Sequence, residues 1–270
     1  MPASDTQTLH ARRYIRSTLG WTLLIYALLL LALLRPGFWP VLLAVPLVYV
    51  RLALGLHELL HLCPAERVPE FHRWALIFDT PLGLGYRELR IVHYQHHRWG
   101  GSERDPEFFQ IAGGHLQAFL RALCVPELTC AAWVRTHGLS RVQAARLLAR
   151  SGLFVLIASI NPGVFLVYWA ILRLSIGASS FIFHHLLHAR HGQLGTFALP
   201  APPALIRLGQ LLFGKEPIDI LTRHREHHLW PRLRVWELPE LPHHFNLPPG
   251  MLSRPLIDQA RTAAQWNPPS

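Results

Sequence analysis

The chain has 270 residues, of which 51% are hydrophobic and only 16% are charged, and its formal net charge is +10. A soluble protein carries about 25% charged residues, so this composition excludes a wholly water-exposed surface and predicts a membrane-embedded part beside an aqueous part. The positive charge does not indicate nucleic-acid binding, because the arginines are spread through the loops between apolar runs and form no compact basic domain. The three cysteines form no CxxC pair, which argues against a disulfide framework and favours a reducing compartment.

Two apolar segments near the N-terminus predict a membrane hairpin. Residues 1–17 are polar and predict a loose or interfacial lead-in, and the apolar segments 19–34 and 38–56 follow, separated by Arg35-Pro36-Gly37. A helix spans a bilayer with about 20 apolar residues, and Pro-Gly is a strong turn signal. Both ends of the hairpin then lie on the same side of the membrane, where His57 emerges.

A second hairpin is predicted further along the chain. The segments 147–160 and 164–183 are apolar, and Asn161-Pro162-Gly163 forms the turn between them. The sequence thus predicts an all-α integral membrane protein with about four transmembrane helices in two hairpins, and one domain over 1–270. A helical cap is expected from 57–146 and 184–270.

Two details of this topology follow from the charged residues. Arg12, Arg13 and Arg16 precede the first span, so the positive-inside rule predicts a cytoplasmic cap, and we expect a bacterial inner membrane. Arg150 would sit near the membrane interface, at the start of the third span. Within the cap, residues 115–133 predict an interfacial helix or a helix packed on the cap.

Eight of the 18 histidines fall into three spacings that are typical of metal ligands. They form one HxxxH pair and two HxxHH boxes: His57, His61; His93, His96, His97; His224, His227, His228. On a helix, residues at i, i+3 and i+4 share one face with Cβ atoms about 5–6 Å apart. Because a zinc ion is satisfied by about four ligands, eight imidazoles predict two ions, and imidazole suits zinc, copper, iron and nickel alike.

The order of these boxes, between and after two membrane hairpins, resembles the membrane fatty acid desaturase superfamily, which includes carotenoid ketolases and hydroxylases. The resemblance covers roughly residues 20–245. After the second box, Asp105-Pro106-Glu107-Phe108 looks like the acidic turn of these enzymes. After the third box, the segments 227–231 and 238–241 look like the family's HHLxP and LPxL tail.

The resemblance implies two iron ions, held by the box histidines and one more histidine before the third box. His188 fits this extra position best, and His184, one turn earlier, is the substitute. The implied metal ligands are His57, His61, His93, His96, His97, His188, His224, His227 and His228. No catalytic residue is expected beyond the metal centre.

Carboxylates near the boxes are candidates for supporting the ligand imidazoles from outside the coordination sphere. Asp105 is one candidate, although it could equally be an ordinary turn former ahead of Pro106. Glu226 and Glu58 lie inside boxes and either steady ligand imidazoles or face solvent.

On this resemblance, O₂ and two external electrons serve to remove hydrogen from an unactivated C–H bond of a long-chain lipid. A fatty acyl desaturase is the predicted activity, and a carotenoid ketolase or hydroxylase or a fatty acid hydroxylase remains an alternative. An acidic electron donor such as a ferredoxin or a cytochrome b5-like protein would dock on the basic cytoplasmic face, unless those arginines only contact lipid phosphates.

A hypothesis from another class comes from the same residues. The segment 57–61 also reads as HExxH, the signature of zinc peptidases with Glu58 as general base. An intramembrane protease would leave both HxxHH boxes without a purpose, and residues 147–183 contain no Asp or Glu to supply a further acidic ligand. A histidine-rich metal carrier without catalysis is a third alternative.

Overall fold

The computed structural model describes residues 5–62, 82–199, 201–231, 233–242 and 246–249. The chain divides into two compact units. The first unit comprises Met1–Ile91 with Phe119–Ser179, and the second comprises Val92–Ala118 with Ser180–Ser270.

Helices dominate the described residues. In chain order they are α1 (Asp5–Leu34), a 3₁₀ segment (Pro36–Ala44), α2 (Val45–Leu62), α3 (Tyr86–Trp99), α4 (Phe108–Ile111), α5 (His115–Ala122), α6 (Val125–His137), α7 (Arg141–Ile160), α8 (Pro162–Ser180), a π-helical turn (Phe181–Leu186), α9 (Pro203–Phe213), α10 (Lys215–Thr222), α11 (His224–Leu229) and a 3₁₀ turn (Val235–Glu237). A short antiparallel hairpin joins β1 (Ala189–Arg190) to β2 (Gln193–Leu194).

Four helical segments in the described part of the chain are long and apolar enough to cross a membrane. They are Arg12–Leu34, Pro36–His61, Arg141–Ile160 and Pro162–Leu186. The prediction of an all-α integral membrane fold with about four spans is therefore confirmed. Many large apolar side chains on these segments, such as Leu34, Val155 and Leu166, remain exposed, as a lipid-facing surface requires.

The helices extend further than the sequence predicted. The polar lead-in is already helical from Asp5, and no proline interrupts the chain from Asp5 to Leu34. The third span begins at Arg141 instead of residue 147, since a capping box formed by Ser140 and Gln143 starts α7 there.

Arg150, which the sequence predicts near the membrane interface, is 4% exposed and donates a hydrogen bond to the carbonyl oxygen of Gly83 at 2.9 Å. Its depth in the membrane stays a prediction. A different local prediction was wrong. The stretch His115–Trp133 is not one helix, because α5 ends at Ala122 and a new helix, α6, begins at Val125. Pro126 lies in the first turn of α6, where a missing backbone N–H costs nothing.

The first hairpin is held by close packing of α1 against α2. A Cβ atom at Gly55 would lie 2.7 Å from the Cγ2 atom of Thr18, so only glycine allows this approach. The hydroxyls of Thr18 and Thr22 donate to the carbonyls of Tyr14 and Thr18, each at 2.6 Å. These bonds satisfy polar groups that an apolar environment would otherwise penalise.

The main apolar core of the first unit joins this hairpin to α8. Its buried residues are Ile25, Leu29, Ala32, Leu33, Leu42, Val45, Val48, Leu52, Val164, Tyr168, Leu172 and Ile176. The turn before α8 is fixed by Asn161, whose side-chain oxygen accepts the backbone N–H of Val164 at 3.2 Å. The predicted Asn-Pro-Gly turn thus also caps the last span.

Candidate metal centre

The first histidine pair lies at the end of α2, in the first unit. The rings of His57 and His61 are both buried, and their centroids are 5.1 Å apart. Nδ1 of His57 lies 3.3 Å from Oε1 of Glu58. Glu58 is therefore buried beside an imidazole and does not face solvent.

The two HxxHH boxes lie on α3 and α11, and each box divides its histidines between two groups. On a helix, positions i and i+4 differ by about 40° in direction, whereas i+3 and i+4 differ by about 100°. His93 and His97 therefore point to one group and His96 to another. In the third box the same rule sends His224 and His228 to one group and His227 to the other.

The first histidine group of the second unit consists of His93, His97 and His227. Each contributes a ligand nitrogen, and these atoms lie within 4.8 Å of one another. Nε2 of His97 is 3.2 Å from Nε2 of His93, and the ring centroids of His97 and His227 are 4.8 Å apart. All three side chains are buried.

The second histidine group consists of His96, His188, His224 and His228, again with ligand nitrogens within 4.8 Å of one another. Nε2 of His224 lies 3.1 Å from Nε2 of His188 and 3.0 Å from Nε2 of His228. Two nitrogens bonded to one ion at about 2.0–2.1 Å are about 2.9–3.4 Å apart. The observed spacing is therefore that of nitrogens around one ion, and this group includes the predicted extra residue His188.

In two members of this group, a hydrogen bond at Nδ1 fixes the orientation of the ring. Nδ1 of His188 donates to the carbonyl oxygen of Gly195 at 2.9 Å, and Nδ1 of His96 donates to Oδ2 of Asp105 at 2.7 Å. A proton on Nδ1 leaves the lone pair of Nε2 for a metal. Nε2 of His96 is buried and has no hydrogen-bond partner among the described residues. This is the state expected of a nitrogen that serves as a metal ligand.

The charge states of the group follow from burial and from one carboxylate. Burial, reinforced by neighbouring imidazoles, lowers the pKa of His188 and His228 well below the ordinary value, so both rings are neutral, as metal ligands must be. Burial also lowers the pKa of His96, but the charge and hydrogen bond of Asp105 outweigh burial and raise it. Burial raises the pKa of Asp105, and the imidazole of His96 outweighs it, so the carboxylate stays ionised.

Asp105 makes both contacts that the sequence left open. Its Oδ2 holds His96, and its Oδ1 accepts the backbone N–H of Glu107 at 2.8 Å. The second contact is the ordinary Asx turn, and the first orients an imidazole of the second histidine group. One side chain thus ties the turn after α3 to the candidate ligand.

Replacing Asp105 with asparagine should lower the affinity of the second histidine group for a divalent ion about 10–100-fold, the usual effect of losing a partner behind a ligand imidazole. An amide still closes the turn but does not supply the negative charge that His96 contacts. Titration of the purified protein with Co²⁺ measures the affinity. Asp105→Glu, which keeps the charge, should recover part of it. An unchanged affinity in Asp105→Asn would show that the carboxylate only forms the turn.

The third box is held in place by the segment that follows it. Arg225, which is 2% exposed, donates to the carbonyls of Leu241 and Pro242 at 3.1 and 2.9 Å. Arg223 donates to the carbonyls of Val235 and Leu238. Glu226 accepts a hydrogen bond from Arg225 at 2.7 Å, so its contact is with a guanidinium that anchors α11. The tail after the third box therefore fixes the helix that carries three candidate ligands.

Glycines allow the backbone to approach these imidazoles closely. A Cβ atom at Gly100 would lie 3.3 Å from Cε1 of His228 and 3.6 Å from Cε1 of His188. A Cβ atom at Gly195 would collide with the carbonyl oxygen of Leu247, which pairs with Thr196. Backbone packing thus fixes the carbonyl of Gly195, which orients His188. The spacing of residues in the sequence does not reveal this packing.

A mixed group that the sequence did not predict consists of His96, Glu107 and His184, whose ligand atoms also lie within 4.8 Å of one another. Oε2 of Glu107 is 3.5 Å from Nε2 of His184. Burial raises the pKa of Glu107, but the imidazoles of His184 and His96 outweigh burial and hold it below the ordinary value. The Asp-Pro-Glu-Phe motif contained this residue without indicating a role for it.

The donor atoms are those of a transition-metal protein. Buried imidazoles with convergent nitrogens bind zinc, copper, iron or nickel, and they are expensive to bury without a partner. The fold and these groups define a helical integral membrane protein with groups of buried histidines that could hold metal ions.

A comparison with protein-family models identifies the family of membrane proteins to which the chain is similar. The model of the family described as fatty acid desaturase matches residues 36–249, and the chain belongs to this family. The matched segment includes every candidate ligand named above. Members of the family are enzymes of the oxidoreductase type. No curated protein and no solved structure matches the chain.

Proposed function

We propose that the chain is a membrane-bound, O₂-dependent non-haem diiron oxidoreductase that acts on unactivated C–H bonds of a long-chain lipid. We propose further that it is a fatty acyl desaturase. The observation that supports this proposal best is the division of both HxxHH boxes between two groups of buried imidazoles, in a chain of the fatty acid desaturase family. Two separate groups call for two ions.

The proposed ligands are the nine histidines that the family pattern implies. His93, His97 and His227 would hold one ion, and the second histidine group would hold the other. His57 and His61 are assigned as ligands from the family pattern and their spacing alone. Imidazole does not select iron over zinc or copper, so the choice of iron also comes from the family.

When bound, the irons would supply the activation of O₂ and the removal of hydrogen from a C–H bond. The residues of the chain would hold and orient them. Asp105 and the carbonyl of Gly195 accept hydrogen bonds from Nδ1 of His96 and His188, which would aim Nε2 of each ring at the ion. The apolar spans would admit the hydrocarbon chain of the substrate.

The remaining assignments are part of the same proposal. Arg12, Arg13 and Arg16 favour a cytoplasmic active site in a bacterial inner membrane. The net charge of +10 favours an acidic electron donor such as a ferredoxin or a cytochrome b5-like protein.

Expression of the chain in a bacterial host, followed by lipid and pigment profiling, tests the function. We expect fatty acids two hydrogens lighter than their parents in cells with the wild-type chain, and none in cells with His228→Ala or with no chain. Metal analysis of the purified protein should find two irons per chain. These two results together would support the diiron desaturase.

Other outcomes would select another activity. A product that gains one oxygen atom would indicate a hydroxylase, and a keto-carotenoid would indicate a ketolase. A single zinc per chain with no change in lipids would favour the protease, and bound metal without any product would favour a carrier. Each of these results would overturn the desaturase assignment.

A further inference from the structure

His96 belongs to two sets of donor atoms at once. It is a member of the second histidine group, and it is also a member of the mixed group with Glu107 and His184. Its Nδ1 donates to Asp105, so a single nitrogen, Nε2, has to serve both sets. The ring centroids of His96 and His184 are 5.2 Å apart, close to the 4.9 Å between those of His96 and His188.

The mixed group has a composition with a known chemical preference. Two imidazoles and one carboxylate are the donor set that holds Fe(II) in many oxygenases and leaves positions open for O₂ and substrate. Carboxylate oxygen is the harder ligand, and it is absent from both histidine groups. Glu107 is 5% exposed, and a buried carboxylate requires a cation or hydrogen bonds.

Both Glu107 and His184 are held by contacts that leave their donor atoms near His96. The side-chain amide of Gln110 donates to Oε1 of Glu107 at 3.0 Å, which leaves Oε2 towards His184. His184 lies on the π-helical turn, and the next residue, His185, donates from Nδ1 to the carbonyl of Ile111 at 2.9 Å. This bond ties the turn to the end of α4, the helix that Glu107 precedes. A π-helical turn inside a longer helix is frequent at functional sites.

One atom of His96 gives an independent indication of a ligand. Nε2 of His96 is buried and has no hydrogen-bond partner in the described part of the chain, whereas buried imidazole nitrogens are almost always satisfied. His184 faces Oε2 of Glu107 with its Nε2 at 3.5 Å. An unsatisfied nitrogen of His96 beside a carboxylate and a second imidazole is the arrangement that a bound cation would complete.

We propose that Glu107 and His184 form a second, carboxylate-containing position for the ion of the second histidine group, with His96 as the ligand common to both positions. The ion is a divalent transition metal, and Glu107 is its oxygen ligand in an otherwise all-nitrogen environment. The inference rests on the proposed function only in that the second histidine group binds a metal. It distinguishes Glu107 from a residue that merely holds His184 by a hydrogen bond.

The test is a titration of the purified full-length chain with Co²⁺, whose absorption spectrum reports the ligand set. Glu107→Gln preserves the shape of the side chain and its bond with Gln110 but replaces the anionic oxygen with an amide. We expect Glu107→Gln to weaken binding of one Co²⁺ about 10-fold or more and to change its visible spectrum. His184→Asn should change the same spectral band.

Glu103→Gln is the matched control, because Glu103 lies on the same connection, is exposed, and is absent from every candidate ligand group of the described residues. It should leave the affinity and the spectrum unchanged. If Glu107→Gln binds Co²⁺ with the affinity and spectrum of the wild type, the proposal is overturned, even if its thermal stability falls. That loss of stability alone would assign Glu107 a structural role.

The two proposals fail in different ways. A wild-type chain that makes a desaturated lipid while Glu107→Gln leaves the Co²⁺ spectrum unchanged would refute the carboxylate position alone. A chain with the Glu107-dependent spectrum but no lipid product would refute the desaturase alone. A wild-type chain that binds no Co²⁺ would refute both.

Discussion

Replacing His96 with alanine should abolish product formation and leave the purified protein with one metal ion fewer per chain. His96 is the member common to the second histidine group and the mixed group, so its removal leaves neither set complete. It also leaves the buried carboxylate of Asp105 without the imidazole that it contacts at 2.7 Å. A buried charge without its partner is costly, so the loss extends beyond one coordinate bond.

Three measurements test His96→Ala. Lipid profiling measures the product, elemental analysis measures the metal content, and circular dichroism measures the folding of the helices. His137→Ala is the control, because His137 ends α6, is exposed, and stacks on Trp133 with ring centroids 3.9 Å apart. We expect normal product and metal content in His137→Ala. A folded His96→Ala protein with full metal content would contradict the assignment of His96 as a ligand.

The second large effect concerns an ion pair within the fourth span. Arg173 lies midway along Pro162–Leu186 and binds Glu127 of α6 through two hydrogen bonds of 2.5 and 2.7 Å. The same guanidinium donates to the carbonyl of Leu123 at 2.9 Å and lies 4.2 Å from the ring centroid of Trp169. A charge in the middle of a span is tolerated only when it is paired in this way.

Arg173→Met should therefore lower the free energy of unfolding by about 3 kcal/mol, because it removes the guanidinium that contacts the Glu127 carboxylate in a poorly solvated site. The double variant Arg173→Met with Glu127→Leu should recover most of this loss, since removing both charges removes the desolvation cost as well. Thermal unfolding in detergent micelles measures both effects. Arg135→Met is the control, because Arg135 is an exposed arginine of α6, the helix that carries Glu127, and this change should alter stability little.

A double variant as unstable as Arg173→Met would indicate that the arginine acts through its contacts with Trp169 and Leu123 instead of through its charge. A single variant as stable as the wild type would show that the pair contributes nothing. The break between α5 and α6 supplies part of this site. Leu123 lies in the break and Glu127 lies in the first turn of α6, and both accept hydrogen bonds from Arg173.

The sequence by itself determined the membrane class and the candidate chemistry. Runs of about 20 apolar residues have few structural alternatives, because backbone polar groups in lipid have to be satisfied within a helix. The HxxHH spacing is likewise a local property, since i, i+3 and i+4 share a helix face in any fold. The two hairpins and the histidine boxes were therefore predictable from single segments of the chain.

Tertiary structure alone decided which side chains meet across long distances in the sequence. The contact of Glu107 with His184, the orientation of His188 by Gly195, and the burial of Arg150 against Gly83 each depend on how separate segments pack. A residue's charge or size does not encode its partner, and Glu107 in a turn motif looks the same whether it faces water or an imidazole. Spacing along one helix determines which side chains share a face, and tertiary packing determines which residues those side chains contact.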